Sequence, residues 1–168
     1  MEILGIILIV PLGGITIIAL FVALILLFPA PIEKTRQNIE ISLGRSLLLG
    51  LVNFIFFALV AALLISVAEN GGDLLGALFY LLAGIILLGL IIFTLLGLTA
   101  FANIFGERMG GGKTPFASNL RGGALLLLAG LAPYIGWFIF TPLILWTGFG
   151  AAISAILRKA KKENLQKD

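Results

Sequence analysis

Residues 74–105 read LLGALFYLLAGIILLGLIIFTLLGLTAFANIF, without one Asp, Glu, Lys or Arg. A run of roughly 18 or more apolar residues reads as a transmembrane helix. In hydrocarbon each backbone N–H and C=O must be bonded within the segment, so the run is a helix and not a strand. It is long for one crossing, and a helix of that length tilts or projects a turn past the interface.

Three more blocks of this kind flank it. The first spans 3–28 and ends at Pro29-Ala30-Pro31; Pro11 and Gly13-Gly14 are possible kinks within it. The second spans 46–68 and ends at Glu69-Asn70-Gly71-Gly72-Asp73. The fourth spans 122–157 and ends at Arg158-Lys159. It contains Ala132-Pro133-Tyr134-Ile135-Gly136, which is turn chemistry in the middle of an apolar run. Composition agrees: 61% of residues are apolar and 11% charged, with a mean hydropathy of +1.21. A water-soluble domain carries about a quarter of its residues as charges. The expected fold is all-α, an integral membrane bundle forming a single domain over 1–168, with three full spans and a C-terminal broken helix or re-entrant hairpin. Glu2 stands where a signal peptide would have basic residues, so the first block is read as a retained anchor.

The eleven basic residues fall in three places. Lys34, Arg36 and Arg45 follow the first block, and Arg108, Lys113 and Arg121 follow the third. Arg158, Lys159, Lys161, Lys162 and Lys167 form the tail at 158–168. Short basic loops stay on the cytoplasmic side. The N-terminus is therefore expected outside and the loops at 29–45 and 106–121 inside a cytoplasmic (inner) membrane. A basic tail is expected inside too, so the fourth block would start and finish on one side. A short arm from Gly122 to Ala132, a turn at Pro133–Gly136 and a longer arm to Leu157 meet that condition. One long kinked helix with the tail outside is the other possibility.

The segment 32–45 is amphipathic. It reads either as a short interfacial helix, with Ile32, Ile39 and Leu43 against lipid and Lys34, Arg36 and Gln37 outward, or as a solvated loop. Small residues recur at four-residue spacing: Ala58, Ala62 and Ser66 in the second block; Thr147, Ala151 and Ala155, and Gly148 and Ala152, in the fourth. Such faces let helices approach closely. Internal packing is the default expectation for them, and contact with a protein partner or a second copy the alternative. Asn53 and Asn103 could face one another. Tyr134 and Trp137 would either anchor the hairpin tip at the outer headgroups or pack into the core.

Candidate chemistry is sparse. The absence of Cys and His excludes the commonest metal and haem ligands and the Cys or His nucleophile–base pairs. No ionisable residue lies within the blocks to mark a proton path. Glu33, Glu40 and Glu107 are read as unpaired. Gly110-Gly111-Gly112-Lys113-Thr114 resembles the end of a phosphate-binding loop, but Glu107 stands where that motif requires its first glycine. No catalytic, cofactor or metal site is expected, nor is nucleic-acid binding. Arg108, Lys113, Arg121, Arg158 and Lys159 are expected to meet the phosphates of anionic lipids.

Leu27-Phe28-Pro29, Ser46-Leu47-Leu48-Leu49-Gly50-Leu51, Gly130-Leu131-Ala132-Pro133-Tyr134-Ile135-Gly136-Trp137 and Gly148-Phe149-Gly150-Ala151 give the chain a further likeness. It resembles a bacterial membrane module found beside polymer-forming, bactofilin-type domains. The resemblance covers nearly the whole chain and implies a helical membrane unit with no catalytic residues. A polymer-forming β-helical domain is not found in these 168 residues. The functional expectation is a non-enzymatic membrane scaffold or accessory subunit; the alternative is a small transporter or channel subunit.

Overall fold

The computed structural model describes the backbone of residues 2–110 and 114–165, with the side chains of these except 2–8, 10, 115 and 158–165. The described chain is helical, with no strand. Its helices are α1 (Glu2–Leu27), α2 (Pro29–Ile41), α3 (Leu43–Asn70), α4 (Gly72–Arg108), α5 (Pro115–Leu131) and α6 (Thr141–Leu165), with a π-helical turn at Gly136–Phe140 before α6.

Three stretches are long and apolar enough to cross a membrane: Leu43–Asn70, Gly72–Arg108 and Gly136–Leu157. The first block behaves differently. Pro11–Leu27 meets Pro29–Ile41 at a bend of 104°, and the two together make a fourth candidate. Phe28 takes φ −127°, ψ 55° between them. A residue before proline is pushed out of the α region, and Pro29 suits the first position of a new helix because its missing N–H has no intrahelical partner there.

The fourth block differs from expectation at its start. Its first arm begins at Pro115, not Gly122, and has 17 residues. Thr114 caps it, its Oγ1 accepting from the Ala117 N–H at 3.3 Å. At 1.5 Å per residue the arm is about 25 Å long, near the lower limit for a crossing. The second arm, Gly136–Leu157, has 22 residues and is long enough by itself. The block is therefore broken rather than kinked, and its arms are longer than a re-entrant loop needs. Between them Tyr134 takes φ 64°, and the Gly136 N–H donates to the Ala132 carbonyl at 3.0 Å. Pro133 lies in this break and Gly136 opens the second arm. Gly136 lies against the end of α5, where an added Cβ would collide with the Ala129 carbonyl. The π turn precedes Pro142, which cannot donate to the carbonyl four residues back and whose ring crowds it; a wider turn relieves that contact. Tyr134 is 80% and Trp137 67% exposed, so neither packs into the core.

α4 is the post of the bundle. Over its C-terminal part, Leu96, Gly97, Thr99, Ala100, Phe101, Ala102, Asn103, Ile104 and Gly106 are all buried, which covers every side of the helix. α1, α2, α3, α5 and α6 all pack on α4, while α5 and α6 scarcely touch each other. In its N-terminal part only Gly76, Ala83 and Leu90 are buried. They lie seven residues apart, as do Ala61 and Ala68 on α3, and form one seam between the two helices. The other sides, with Leu74, Leu78, Leu81, Ile85 and Leu88, are exposed. That pattern suits hydrocarbon, not water.

Close backbone contacts hold the post in place. α4 crosses α6 where an added Cβ on Gly148 would stand 2.9 Å from the Gly97 Cα, and Ala152 is buried in the same helix. α3 crosses α6 where a Cβ on Gly150 would stand 2.8 Å from the Gly50 Cα. α5 meets α4 at Gly122, whose added Cβ would lie 2.7 Å from the Gly106 nitrogen. The packed face of α3 is Ser46, Gly50, Ala61 and Ala68. Ala58 is half-buried, whereas Ala62 and Ser66 are exposed, so the expected internal face is corrected. The reason is angular: each four-residue step rotates about 40° around the helix, while a seven-residue step drifts only about 20°. Asn53 and Asn103 also do not meet. Asn53 Nδ2 donates to the Leu49 carbonyl of its own helix at 2.7 Å.

Gly50→Ala, Gly97→Ala and Gly122→Ala are each expected to lower unfolding free energy in detergent by about 1–3 kcal/mol, through forced separation of helices. Gly84→Ala and Gly89→Ala, where an added Cβ meets nothing within 4 Å, are expected to be neutral or stabilising by up to about 1 kcal/mol. Denaturant titrations followed by circular dichroism compare the two sets.

Candidate functional site: a half-buried arginine at the α1–α2 bend

Polar chemistry converges at one end of the post. Glu33, Arg36 and Glu40 lie on one face of α2, at spacings of three and four residues. Asn103 and Glu107 lie one turn apart on α4, and Thr114 and Ser118 one turn apart at the start of α5. The 104° bend after α1 lays α2 against α4 and α6 instead of letting it run out from the bundle. Ile32 and Ile39 are buried within the protein at 2% and 3% exposure. The amphipathic segment is thus a helix, but its apolar face meets protein. Leu43, placed with that face in the sequence, belongs to α3 and is exposed.

Arg36 is the centre. Its side chain is 20% exposed. Nη1 donates to Glu107 Oε1 and Nη2 lies beside Glu107 Oε2, each at 2.6 Å, a two-pronged pairing that fits the planar guanidinium. Nη1 also donates to Asn103 Oδ1 at 2.9 Å. Glu40 Oε1 lies 3.5 Å from Nε, and Glu33 Oε2 lies 3.9 Å from Nη1. The three glutamates are therefore gathered on one guanidinium, which corrects their reading as unpaired, and Arg36 points into the protein rather than outward. Partial burial works against the charged guanidinium. The Glu107 hydrogen bond and charge, with Glu40 and Glu33, outweigh it and hold the Arg36 pKa above the ordinary arginine value.

The surrounding polar groups knit helices together. Ser118 Oγ donates to the Asn103 carbonyl at 3.2 Å, joining α5 to α4. Asn38 Nδ2 donates to the Ala151 carbonyl at 3.2 Å, joining α2 to α6. Asn119, fully buried on α5, has neither side-chain oxygen nor nitrogen hydrogen-bonded to any described residue. A buried amide in that condition costs about 1–3 kcal/mol.

An open cavity of about 620 Å³ lies beside the arginine. Ile25, Leu26, Pro29 and Ile32 form its apolar side; Glu33, Arg36, Asn103, Glu107, Thr114 and Ser118 form its polar side. Among the described residues no group of three His, Cys, Asp or Glu side chains is placed to hold a metal ion. Of the phosphate-loop likeness, Gly111, Gly112 and Lys113 lie outside the described residues; the Thr114 hydroxyl is engaged in capping α5, and no strand precedes it among the described residues.

Of the residues expected to meet lipid phosphate, Arg108 at the end of α4 and Arg121 on α5 are exposed. Lys113 and the side chains of Arg158 and Lys159 lie outside the described residues. The arginine site was missed in the sequence, although Glu33, Arg36 and Glu40 at ion-pair spacing on an amphipathic helix were its signal. No protein family, curated protein or solved structure matches the chain.

A double-mutant cycle with Arg36→Met and Glu107→Gln is expected to give a coupling of about 1–2 kcal/mol in unfolding free energy. The cycle with Glu40→Gln, whose contact is longer, is expected to give about 0.5 kcal/mol or less.

Proposed function

We propose that this chain is a non-enzymatic scaffold or accessory subunit of a bacterial inner membrane, which packs against partner membrane proteins through a small-residue helix face. One observation carries the reading. Ala62 and Ser66 stand exposed on a span whose own packing uses a different face. Small residues on a lipid-facing surface give lipid little to grip and allow another helix to approach closely. The resemblance to a membrane module beside bactofilin-type domains fits a role in anchoring.

A transporter or channel subunit is the second reading. The broken fourth block favours it: a cleft of about 290 Å³ lies between the arms, lined by Leu126, Gly130, Phe140, Thr141 and Ile144, with Phe21 over it. Its lining is almost wholly apolar, which suits apolar cargo better than ions.

In this reading the N-terminus lies outside, the basic loops and tail inside, and the exposed Arg108 and Arg121 meet anionic headgroups with Lys113, Arg158 and Lys159. The arms of α5 and 136–157 return the tail to the inner side whether the first arm crosses or re-enters.

Ala62→Leu with Ser66→Leu is expected to abolish co-purification of partner subunits in mild detergent while leaving the unfolding midpoint unchanged. A homo-oligomer around a water-filled cavity, with no other subunit, supports transport instead. A cysteine at residue 168 is expected to react with an impermeant maleimide only from the cytoplasmic side; labelling only from outside contradicts the topology.

A further inference from the structure

The cavity beside Arg36 combines two surfaces that rarely meet. One side is made by Ile25 and Leu26 at the end of α1 and by Pro29 and Ile32 at the start of α2, and it is apolar. The other is charged, and among the described lining residues the charges do not balance: Glu33 and Glu107 face a single guanidinium, Arg36, which leaves one negative charge in excess. Glu107 has both oxygens held by Arg36 at 2.6 Å. Glu33 does not. Its Oε2 is 3.9 Å from Arg36, too far for a hydrogen bond, and among the described residues its Oε1 accepts from Gln37 alone, at 3.1 Å. The excess charge therefore sits on Glu33, whose side chain is 55% exposed.

A second observation is independent of the acids. Asn103 is 95% buried (5% exposed) and lines the same cavity. Its Oδ1 accepts from Arg36, and its Nδ2 donates to no group among the described residues. Nδ2 is not among the side-chain atoms sealed from the surface, so this donor opens on the cavity and is free to meet an acceptor there. Beside it, Thr114 and Ser118 bring two further polar side chains to the wall.

An occupant must then offer three things: a cationic donor for Glu33, an acceptor oxygen for Asn103, and an apolar portion for Ile25, Leu26, Pro29 and Ile32. We propose that this cavity binds the headgroup of a zwitterionic, primary-amine phospholipid, of the phosphoethanolamine class, with an acyl chain along the α1–α2 bend. The ammonium donates to Glu33, and a phosphate oxygen accepts from Asn103. An anionic lipid lacks the cation and meets the excess negative charge. A choline lipid has the cation but no N–H to donate. The inference is separate from the scaffold reading and depends only on the chain residing in a bilayer.

Native mass spectrometry of the detergent-purified protein, exchanged with equal amounts of dioleoyl phosphatidylethanolamine, phosphatidylcholine and phosphatidylglycerol, tests it. The ethanolamine lipid is expected to be retained about tenfold over either competitor. Glu33→Gln, a substitution at a half-exposed side chain, is expected to remove the preference over choline lipid, and Asn103→Ala to weaken retention of the ethanolamine lipid severalfold. Arg121→Gln, on exposed α5 surface, is expected to change neither. Soluble phosphoethanolamine competing as well as the lipid would assign the site to a free zwitterion and overturn the lipid assignment. Equal retention of all three lipids, or an unchanged preference in Glu33→Gln, would overturn the proposal. Partner co-purification reports on the scaffold reading alone, so the two can fail separately.

Discussion

The medium outside this bundle is as apolar as its side chains, and the rest of the structure answers to that. In water, burying leucine drives helices together. In lipid it does not, and association falls to close packing and hydrogen bonds between helices. The chain shows the consequence at each main crossing. Gly97 with Gly148, Gly50 with Gly150, and Gly106 with Gly122 bring backbones so near that no side chain fits between them. Large apolar side chains are free to point outward, and they do: Leu74 is 87% and Leu59 65% exposed.

The same logic explains why the polar groups gather where α2 folds back. A half-buried arginine needs partners, and three helices supply them or close the cavity around them. α2 provides the arginine and two glutamates, α4 its strongest carboxylate and an amide, and α5 the hydroxyl that ties the amide's backbone in place. This network fixes the angle of α2 against α4 in a way that the featureless apolar surfaces of the spans do not. The scaffold reading and the lipid site both grow out of this division: a rigid polar end beside the bend, and a lean two-helix end of α3 and α4 left open to the bilayer.

Much of this was legible in the residues. Uninterrupted apolar runs made α3 and α4 plain, and Pro133 with Gly136 marked the break in the fourth block. What escaped were features that depend on partners. The start of α5 was hidden because Ser118, Asn119 and Arg121 look like loop residues, although Thr114-Pro115 is a capping signal. Ile32 and Ile39 are apolar in either environment, so the sequence could not say whether lipid or protein would cover them. The small residues of α3 were misassigned because their spacing was counted but their rotation around the helix was not. The arginine site needed two segments 71 residues apart to meet, which periodicity within one segment cannot foresee.

The fold depends on hydrocarbon being the solvent of those outward leucines. Sedimentation velocity of the purified chain, with and without amphiphile, addresses that directly. A single folded species is expected in detergent micelles or nanodiscs, with loss to large aggregates when the amphiphile is removed. A monodisperse, helical species in plain buffer would contradict it.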